Sequence, residues 1–142
     1  MALSVPKTAV VDTGFWFALF NERDQHHQQA LAKEAPLRSF RVVLPWPCLY
    51  ETLNTKFVSN PLWVRQFESF VKRPNILFFD ERKYRQAAYE QTLREAGTRA
   101  IGLVDRVIRS IIADRSTRVN LLLTFKQRDF ADVCRANQIE LW

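Results

Sequence analysis

The sequence predicts an α/β domain built on a mostly parallel β-sheet of four to five strands. Short apolar runs recur along the chain, and a segment with helical character separates each run from the next. Parallel strands need such crossover connections, and burial of both sheet faces explains why the runs are almost continuously apolar. The length of 142 residues suits a single domain over residues 1–142.

The first strand and two helices are expected near the N-terminus. The run TAVVD at residues 8–12 is short and apolar, which is typical of a buried strand whose last residue emerges at the sheet edge. Residues 15–20 are apolar nearly all round and predict a buried helix. The polar sequence NERD ends it, and Asp24 is expected to cap a second helix, over residues 24–35, that stops before Pro36.

A second strand and two further helices come next. Residues 41–44 (RVVL) form the next apolar run. Pro45 and Pro47 bracket the entry to a helix over residues 48–58, since proline is tolerated in a first helical turn. Apolar residues at helical spacing predict another helix over residues 61–71.

The third strand precedes two long helices. Residues 76–79 (ILFF) predict the strand, and Asp80 is expected to cap the polar-faced helix of residues 81–97. Gly97 stands where a C-terminal helix cap is wanted. Residues 101–113 have an apolar stripe at helical spacing and predict the next helix.

The C-terminal part completes the alternation. Residues 119–123 (VNLLL) predict a fourth strand, residues 130–136 a last helix, and residues 139–142 a short terminal strand. No linker or low-complexity stretch interrupts the order.

The composition favours one class of binding partner and one cellular compartment. The 21 basic and 15 acidic residues give a net charge of +6, and arginine, which binds phosphate in a bidentate manner, supplies 15 of the bases. A nucleic acid is the partner that this charge favours. No run reaches the roughly 18 apolar residues of a membrane-spanning helix. No secretory signal is apparent, so a cytoplasmic protein is expected, in which Cys48 and Cys134 are reduced core residues.

Four acidic residues are the candidates for chemistry: Asp12, Glu51, Asp105 and Asp129. Ligands of open parallel sheets bind at the carboxyl ends of the strands, and the predicted topology can bring all four residues to that edge. Clustered carboxylates need a cation to relieve their repulsion, and hard oxygen ligands select Mg²⁺ or Mn²⁺. Such a site can activate water for hydrolysis of a phosphodiester.

An ordinary structural role is the alternative for three of these acids. Asp12 and Asp129 can cap the helices that follow them, and Asp105 can pair with Arg109 one turn along the same helix. Glu51 lies in the apolar sequence PCLYETL with no opposite charge three or four residues away. An unpaired carboxylate is costly to bury, so Glu51 is the hardest to explain as structural.

The chain contains, in this order, the segments VVDTGFWFALFNERDQHH, PCLYETLNTKF, GLVDRVIRSII and LLLTFKQRDF. In order and spacing they resemble the PIN-domain family, and within it the VapC-like toxin ribonucleases of bacterial type II toxin–antitoxin systems. The resemblance spans nearly the whole chain. It implies a three-layer α/β/α sandwich and Mg²⁺- or Mn²⁺-dependent endonucleolytic cleavage of RNA. It also implies a homodimer and inhibition by a cognate antitoxin that occupies the acidic groove.

Carried over to this sequence, the family pattern places Asp12, Glu51 and Asp105 at its three characteristic acidic positions. Thr124 matches a threonine that orders the site. The residue two positions later is usually Asp or Asn and is Lys126 here, which leaves Asp129 as the fourth carboxylate or the site with three. A second departure is glycine at position 14, where Ser or Asn is common.

Basic residues beside the acids are candidates for holding the RNA. Arg106 and Arg109 flank Asp105, while Lys126 and Arg128 precede Asp129, and each can contact phosphate. Their alternative role is that of solvated charges on a helix or loop.

Two other functions remain open. A phosphoacceptor signalling domain would use Asp12, Asp80, Thr124 and Lys126, although Asp12 lacks the second acid that such a domain places beside it. A PIN fold without catalysis, acting as an RNA- or protein-binding module, would account for Lys126 and the glycine at position 14. Cofactor oxidoreduction is a weaker alternative than these, because the three glycines cannot form a GxGxxG or GxxxxGK[ST] motif.

Overall fold

The computed structural model describes residues 4–142 and has one parallel five-stranded sheet in the order β3-β2-β1-β4-β5. Every strand pair in it is parallel. The strands are β1 (Thr8–Val11), β2 (Arg41–Pro45), β3 (Ile76–Phe79), β4 (Leu121–Leu123) and β5 (Glu140–Leu141). The α/β class and all five strands are therefore as the sequence predicts.

The helices lie in the connections between the strands. They are α1 (Thr13–Phe20), α2 (His27–Leu37), α3 (Trp46–Thr52), α4 (Thr55–Val58), α5 (Pro61–Val71), α6 (Arg82–Arg94), α7 (Leu103–Ala113) and α8 (Ala131–Ala136). Two short 3₁₀ turns, Arg115–Thr117 and Gln127–Asp129, flank β4. None of the helices in residues 4–142 is long and apolar enough to cross a membrane.

The central strand β1 shows how the sheet divides the core. Val10 lies in register with Val43 of β2 and with Leu122 of β4. Successive side chains of a strand point to opposite faces, so Val10 faces one layer of helices while Ala9 and Val11 face the other. All four residues of β1 are buried, as expected for a strand covered on both sides.

Two hydrophobic clusters lie on the two faces of the sheet. The first contains residues from α1, α2, α4 and α5, with Trp16 in edge-to-face contact with Phe67 and Phe70. The second contains residues from α6, α7 and α8, including Ile108 and Ile111. The molecule is thus a three-layer α/β/α sandwich, which confirms the fold class implied by the resemblance.

Several helix boundaries differ from the sequence prediction for local reasons. The helix expected over residues 48–58 is two helices, α3 and α4, because the Asn54 side chain accepts the Phe57 N–H and starts a new helix. The helix expected over residues 24–35 begins at His27, and its N-cap is His26 rather than Asp24, whose side chain accepts the His26 N–H at 2.8 Å. The same helix includes Pro36 in its last turn and ends at Leu37.

The polar-faced helix α6 is also shorter than predicted. Its N-cap is Glu81 rather than Asp80, although the Asp80 side chain accepts the Arg82 N–H at 3.0 Å. The helix ends at Arg94, three residues before Gly97. Gly97 has a φ of +82°, so it provides a left-handed turn beyond the helix end rather than the cap itself.

Candidate active site

Asp12 lies between the end of β1 and the start of α1, at the carboxyl edge of the sheet. It is 1% exposed. Its Oδ1 accepts the Thr13 N–H at 2.7 Å, and its Oδ2 accepts the Thr124 hydroxyl at 2.8 Å. Burial raises the pKa of the Asp12 carboxyl, against the opposing effects of Lys126 and of these two hydrogen bonds. Asp12 therefore caps α1 and also faces the residues that follow β4.

Thr124 directly follows β4 and is fully buried. Besides donating to Asp12, its hydroxyl oxygen accepts the backbone N–H of Lys126 at 3.0 Å. The neighbouring strands β1 and β4 run in parallel, so their ends meet at one edge of the sheet. This placement is consistent with the ordering role that the resemblance gives to Thr124.

Asp105 lies in the first turn of α7 and is 7% exposed. Both of its carboxylate oxygens accept hydrogen bonds from Nζ of Lys126, at 3.1 Å and 3.0 Å. Burial raises the pKa of the Asp105 carboxyl, and the negative charges of Asp12 and Asp129 act in the same direction, while Lys126 opposes them. The partner of Asp105 is therefore Lys126, and the alternative pairing with Arg109 is not formed.

Glu51 lies on α3 and is exposed rather than embedded among apolar side chains. Its Oε1 accepts the Thr13 hydroxyl at 2.9 Å, which links α3 to the start of α1. Thr13 is not among the site residues predicted from the sequence. The signal for it is a hydroxyl residue directly after Asp12, at the position where the chain turns from strand to helix.

Asp129 lies in the 3₁₀ turn between β4 and α8 and is partly exposed. Its backbone carbonyl accepts a hydrogen bond from Arg109 at 2.7 Å. Its carboxylate is near enough to raise the pKa of Asp105. Asp12, Glu51, Asp105 and Asp129, called the acidic cluster below, thus lie along one edge of the sheet.

The basic residues near the cluster differ in their accessibility. Arg106 is 2% exposed; its guanidinium donates to the Arg99 carbonyl and pairs with Glu95. It has no surface to offer a phosphate, which corrects the expectation that Arg106 contacts RNA. Arg109 is also engaged, because it forms a bidentate pair with Asp132.

Lys126 and Arg128 are the exposed bases of this group. The Lys126 side chain is 48% exposed although it reaches Asp105. Its pKa is raised: burial alone would lower it, but the negative charges of Asp12, Asp105 and Glu51 outweigh burial. These two residues are the ones placed to meet an anion.

The donor chemistry of the acidic cluster fits a divalent cation, because carboxylate oxygens are the ligands that Mg²⁺ and Mn²⁺ prefer. As the side chains stand, no three His, Cys, Asp or Glu side chains of residues 4–142 converge to hold an ion. Hydroxyl groups hold Asp12 and Glu51, and an ammonium group holds Asp105. Lys126 is thus the cation that this arrangement contains.

Gly14 is not required by packing. A Cβ atom placed there would lie 3.8 Å from the Phe125 ring, which is ordinary van der Waals contact. The absence of the Ser or Asn side chain common at this position in the family therefore has no steric cause within the described residues.

The arrangement does not favour a phosphoacceptor domain. Asp80 lies at the end of the edge strand β3 and pairs with Arg82, two strands away from Asp12. The strand order β3-β2-β1-β4-β5 also differs from the 2-1-3-4-5 order of flavodoxin-like folds.

No protein-family model matches the sequence, and no curated protein matches it. Among solved structures, the crystal structure of Mycobacterium tuberculosis VapC20, described as a sarcin-ricin loop cleaving toxin, matches the chain with a TM-score of 0.65. The two sequences are 21% identical, and the match covers 87% of this chain and 94% of the VapC20 chain. The resemblance that the four sequence segments indicate is therefore confirmed in the fold, and the chain has the PIN-like α/β/α architecture of a VapC toxin.

Proposed function

We propose that the chain is an endoribonuclease that hydrolyses RNA phosphodiester bonds with the help of Mg²⁺ or Mn²⁺. The observation that carries the proposal is the placement of two buried carboxylates, Asp12 and Asp105, at the carboxyl edge of a sheet with VapC-like architecture. Buried carboxylates with raised pKa values at the ligand-binding edge of a fold are typical of functional sites.

The acidic cluster supplies the ligands in this proposal. Asp12, Glu51 and Asp105 would hold the cation, with Asp129 as a fourth carboxylate. When bound, the cation would supply Lewis acidity toward the phosphodiester and favour ionisation of the attacking water. The chain's own contribution is orientation: Thr124 and Thr13 fix the two oxygens of Asp12, and Thr13 also holds Glu51.

RNA is the proposed substrate because of charge and because of the fold. The net charge of +6 attracts a polyanion, and the exposed Arg128 lies next to Asp129, where a phosphate would approach. Lys126 would serve the same end once it is released from Asp105. We also propose that the protein acts as the toxin of a toxin–antitoxin pair, as a homodimer, with a cognate antitoxin as its inhibitor.

A second candidate function is that of an RNA- or protein-binding module with little or no catalysis. The ion pair of Lys126 with Asp105 favours it, because that pair uses both oxygens of a proposed metal ligand. The two candidates share the fold and differ in whether the acidic cluster supports hydrolysis.

Cleavage of RNA by the purified chain tests the proposal. The substrates are a sarcin–ricin loop stem-loop and a mixed structured RNA, each incubated with Mn²⁺, Mg²⁺ or EDTA. Asp12→Asn and Asp105→Asn are compared with Asp80→Asn, which changes an exposed aspartate at the end of another strand. Circular dichroism verifies that each variant is folded.

We expect cleavage that requires a divalent cation, falls at least about a hundredfold in Asp12→Asn and Asp105→Asn, and is unchanged in Asp80→Asn. Binding of RNA without cleavage under all conditions would favour the module instead. Cleavage that survives both substitutions in the acidic cluster would show that the site lies elsewhere.

A further inference from the structure

The ammonium group of Lys126 lies where a cation is needed in the acidic cluster. Its Nζ is 3.1 Å and 3.0 Å from the two carboxylate oxygens of Asp105. We propose that Lys126 is a built-in counterion of the cluster, which keeps the site folded without a metal and competes with a divalent cation for Asp105. The competition rests on the metal binding that is part of the function proposed above; the counterion role rests on the geometry alone.

The backbone fixes where the Lys126 side chain starts. The Lys126 N–H donates to the Thr124 hydroxyl oxygen, and that hydroxyl in turn donates to Asp12. Thr124 is fully buried, so water does not compete for these two hydrogen bonds. From this point the side chain reaches across to the first turn of α7, and the same short segment therefore contacts Asp12 through a hydroxyl and Asp105 through an ammonium group.

The charges of the cluster explain why a counterion is needed. Asp12 and Asp105 are both buried, and a buried carboxylate without a cationic or hydrogen-bonding partner is unfavourable. The two arginines that flank Asp105 in the sequence are paired elsewhere, since Arg106 pairs with Glu95 and Arg109 with Asp132. Among the ion pairs of residues 4–142, the pair with Lys126 is the one that neutralises Asp105.

The pair is also built so that it can open. The Lys126 side chain is 48% exposed, whereas that of Asp105 is 10% exposed, so the lysine can swing into water while the carboxylate stays in place. A lysine is a flexible point charge, and release of its ammonium group exposes both oxygens of Asp105. Arg106, with a side chain that is 1% exposed, has no such freedom.

Binding of a divalent cation would therefore replace the Lys126 ammonium group at the Asp105 carboxylate. The exchange predicts a lower affinity for Mn²⁺ than the cluster would have without the lysine, because a positive charge beside Asp105 repels the ion and occupies its ligand. It also predicts that the folded state does not depend on a metal.

Direct measurement of Mn²⁺ binding, without RNA, tests the proposal. Isothermal titration calorimetry gives the dissociation constant, and thermal unfolding with Mn²⁺ or EDTA gives the metal dependence of stability. Lys126→Gln removes the charge at nearly constant length, and Lys126→Arg keeps the charge. Lys72→Gln is the matched control, since it removes a lysine–glutamate pair on the surface of α5.

We expect Lys126→Gln to bind Mn²⁺ about tenfold more tightly than the wild type or Lys126→Arg. Its Tm in EDTA falls below that of the wild type, and Mn²⁺ raises its Tm by more than it raises the wild-type Tm. Lys72→Gln responds to Mn²⁺ as the wild type does. Equal affinity in Lys126→Gln and the wild type overturns the proposal, as does a Lys126→Gln chain that stays unfolded at saturating Mn²⁺.

The outcomes also separate this proposal from the nuclease function. Tighter Mn²⁺ binding by Lys126→Gln without RNA cleavage by any variant supports the counterion and refutes the nuclease. RNA cleavage by a wild type whose Mn²⁺ affinity is unaffected by Lys126→Gln supports the nuclease and refutes the counterion.

Discussion

At the scale of single residues, the Thr124 hydroxyl links Asp12 to the backbone of Lys126 through one oxygen atom. It donates to a buried carboxylate oxygen of Asp12 and accepts the backbone N–H of Lys126. A valine has nearly the same shape but neither donates nor accepts. The position therefore separates the contribution of hydrogen bonding from that of packing.

Thr124→Val is expected to lower the free energy of unfolding by about 1–3 kcal/mol, because the Asp12 carboxylate loses a donor that water cannot replace at a buried site. Urea unfolding followed by circular dichroism measures the change. Thr124→Ser keeps the hydroxyl and should retain most of the stability relative to valine. A valine variant as stable as the wild type would mean that the Asp12 carboxylate does not depend on this bond.

Tyr84 provides a pH-dependent signal on α6, a helix that carries no residue of the acidic cluster. Its hydroxyl donates to Asp114 at 2.7 Å. Burial, together with the hydrogen bond and the charge of Asp114, raises the pKa of Tyr84 from 10.0 to about 12. Because the folded state holds the phenol proton more tightly than the unfolded chain does, the resulting stability is present below pH 10 and is lost as the pH rises toward 12.

A spectrophotometric titration of the folded protein at 295 nm should therefore show one tyrosine that ionises near pH 12, and Tyr84→Phe should remove that step. Asp114→Asn should move the same step to lower pH, since it removes the negative charge that disfavours the phenolate. A titration curve unaltered by Tyr84→Phe would assign the late step to another group.

At the scale of elements, Arg109 joins α7 to the segment that carries Asp129. Its guanidinium forms a bidentate pair with Asp132 at 2.7 Å and 2.8 Å and also donates to the Asp129 carbonyl. The hydrogen bond from Arg109 holds the pKa of the Asp132 carboxyl well below its usual range, because it outweighs the burial of Asp132, which would raise that pKa. The fourth carboxylate of the acidic cluster thus depends on a contact made by its backbone.

Arg109→Ala is expected to destabilise the protein by about 1–2 kcal/mol. The expected loss is not larger because the side chain of Asp132 is about half exposed, so water screens its charge. Arg109→Lys should recover only part of this loss, since an ammonium group cannot form the two parallel bonds of a guanidinium. Urea unfolding of the three proteins measures both effects. Equal stability of the lysine variant and the wild type would contradict the bidentate contact.

The elements show what the sequence could predict. All five strands follow from short apolar runs, because burial on both faces leaves that pattern in the sequence. The break between α3 and α4 depends on one hydrogen bond of the Asn54 side chain, which the apolar pattern around it conceals. Helix ends set by a single side chain are therefore less predictable than the elements themselves.

The positions of two candidate site residues are predictable to the same degree. Asp12 directly follows a predicted strand and Asp105 lies in an apolar helix, and both are buried at the sheet edge where the sequence predicts them. Their partners were not predictable, because Lys126 and Asp105 are 21 residues apart and tertiary packing alone decides their pairing. A pair of Asp105 with Arg109 would satisfy helical spacing, but Asp105 pairs instead with Lys126, which lies outside that helix.

At the scale of the whole molecule, the two hydrophobic clusters share the same strands. Leu121 and Leu123 of β4 belong to the first cluster, and Leu122 between them belongs to the second. One cluster cannot lose its strand residues without disrupting the other. We therefore expect the chain to unfold as one cooperative unit, in keeping with the single domain expected from its length.

Two sets of side chains report separately on the clusters. Trp16 lies in the first cluster and Trp63 and Trp142 pack against it, whereas Cys48 and Cys134 lie in the second. Both thiols are buried, and burial raises the pKa of the Cys134 thiol to about 11, so labelling of the folded state is slow. In urea, tryptophan fluorescence and pulsed thiol labelling should give coincident transitions.

Phe67→Ala tests whether a substitution in the first cluster also destabilises the second cluster, on the opposite face of the sheet. It should destabilise the protein by about 3–5 kcal/mol and shift the fluorescence and thiol transitions by the same amount, although neither cysteine lies on its face. Phe78→Ala, which removes a half-exposed ring from the edge strand β3, should shift both transitions much less. If thiol labelling kept its wild-type midpoint in Phe67→Ala while the fluorescence midpoint fell, the two faces would unfold independently and the shared strands would not couple them.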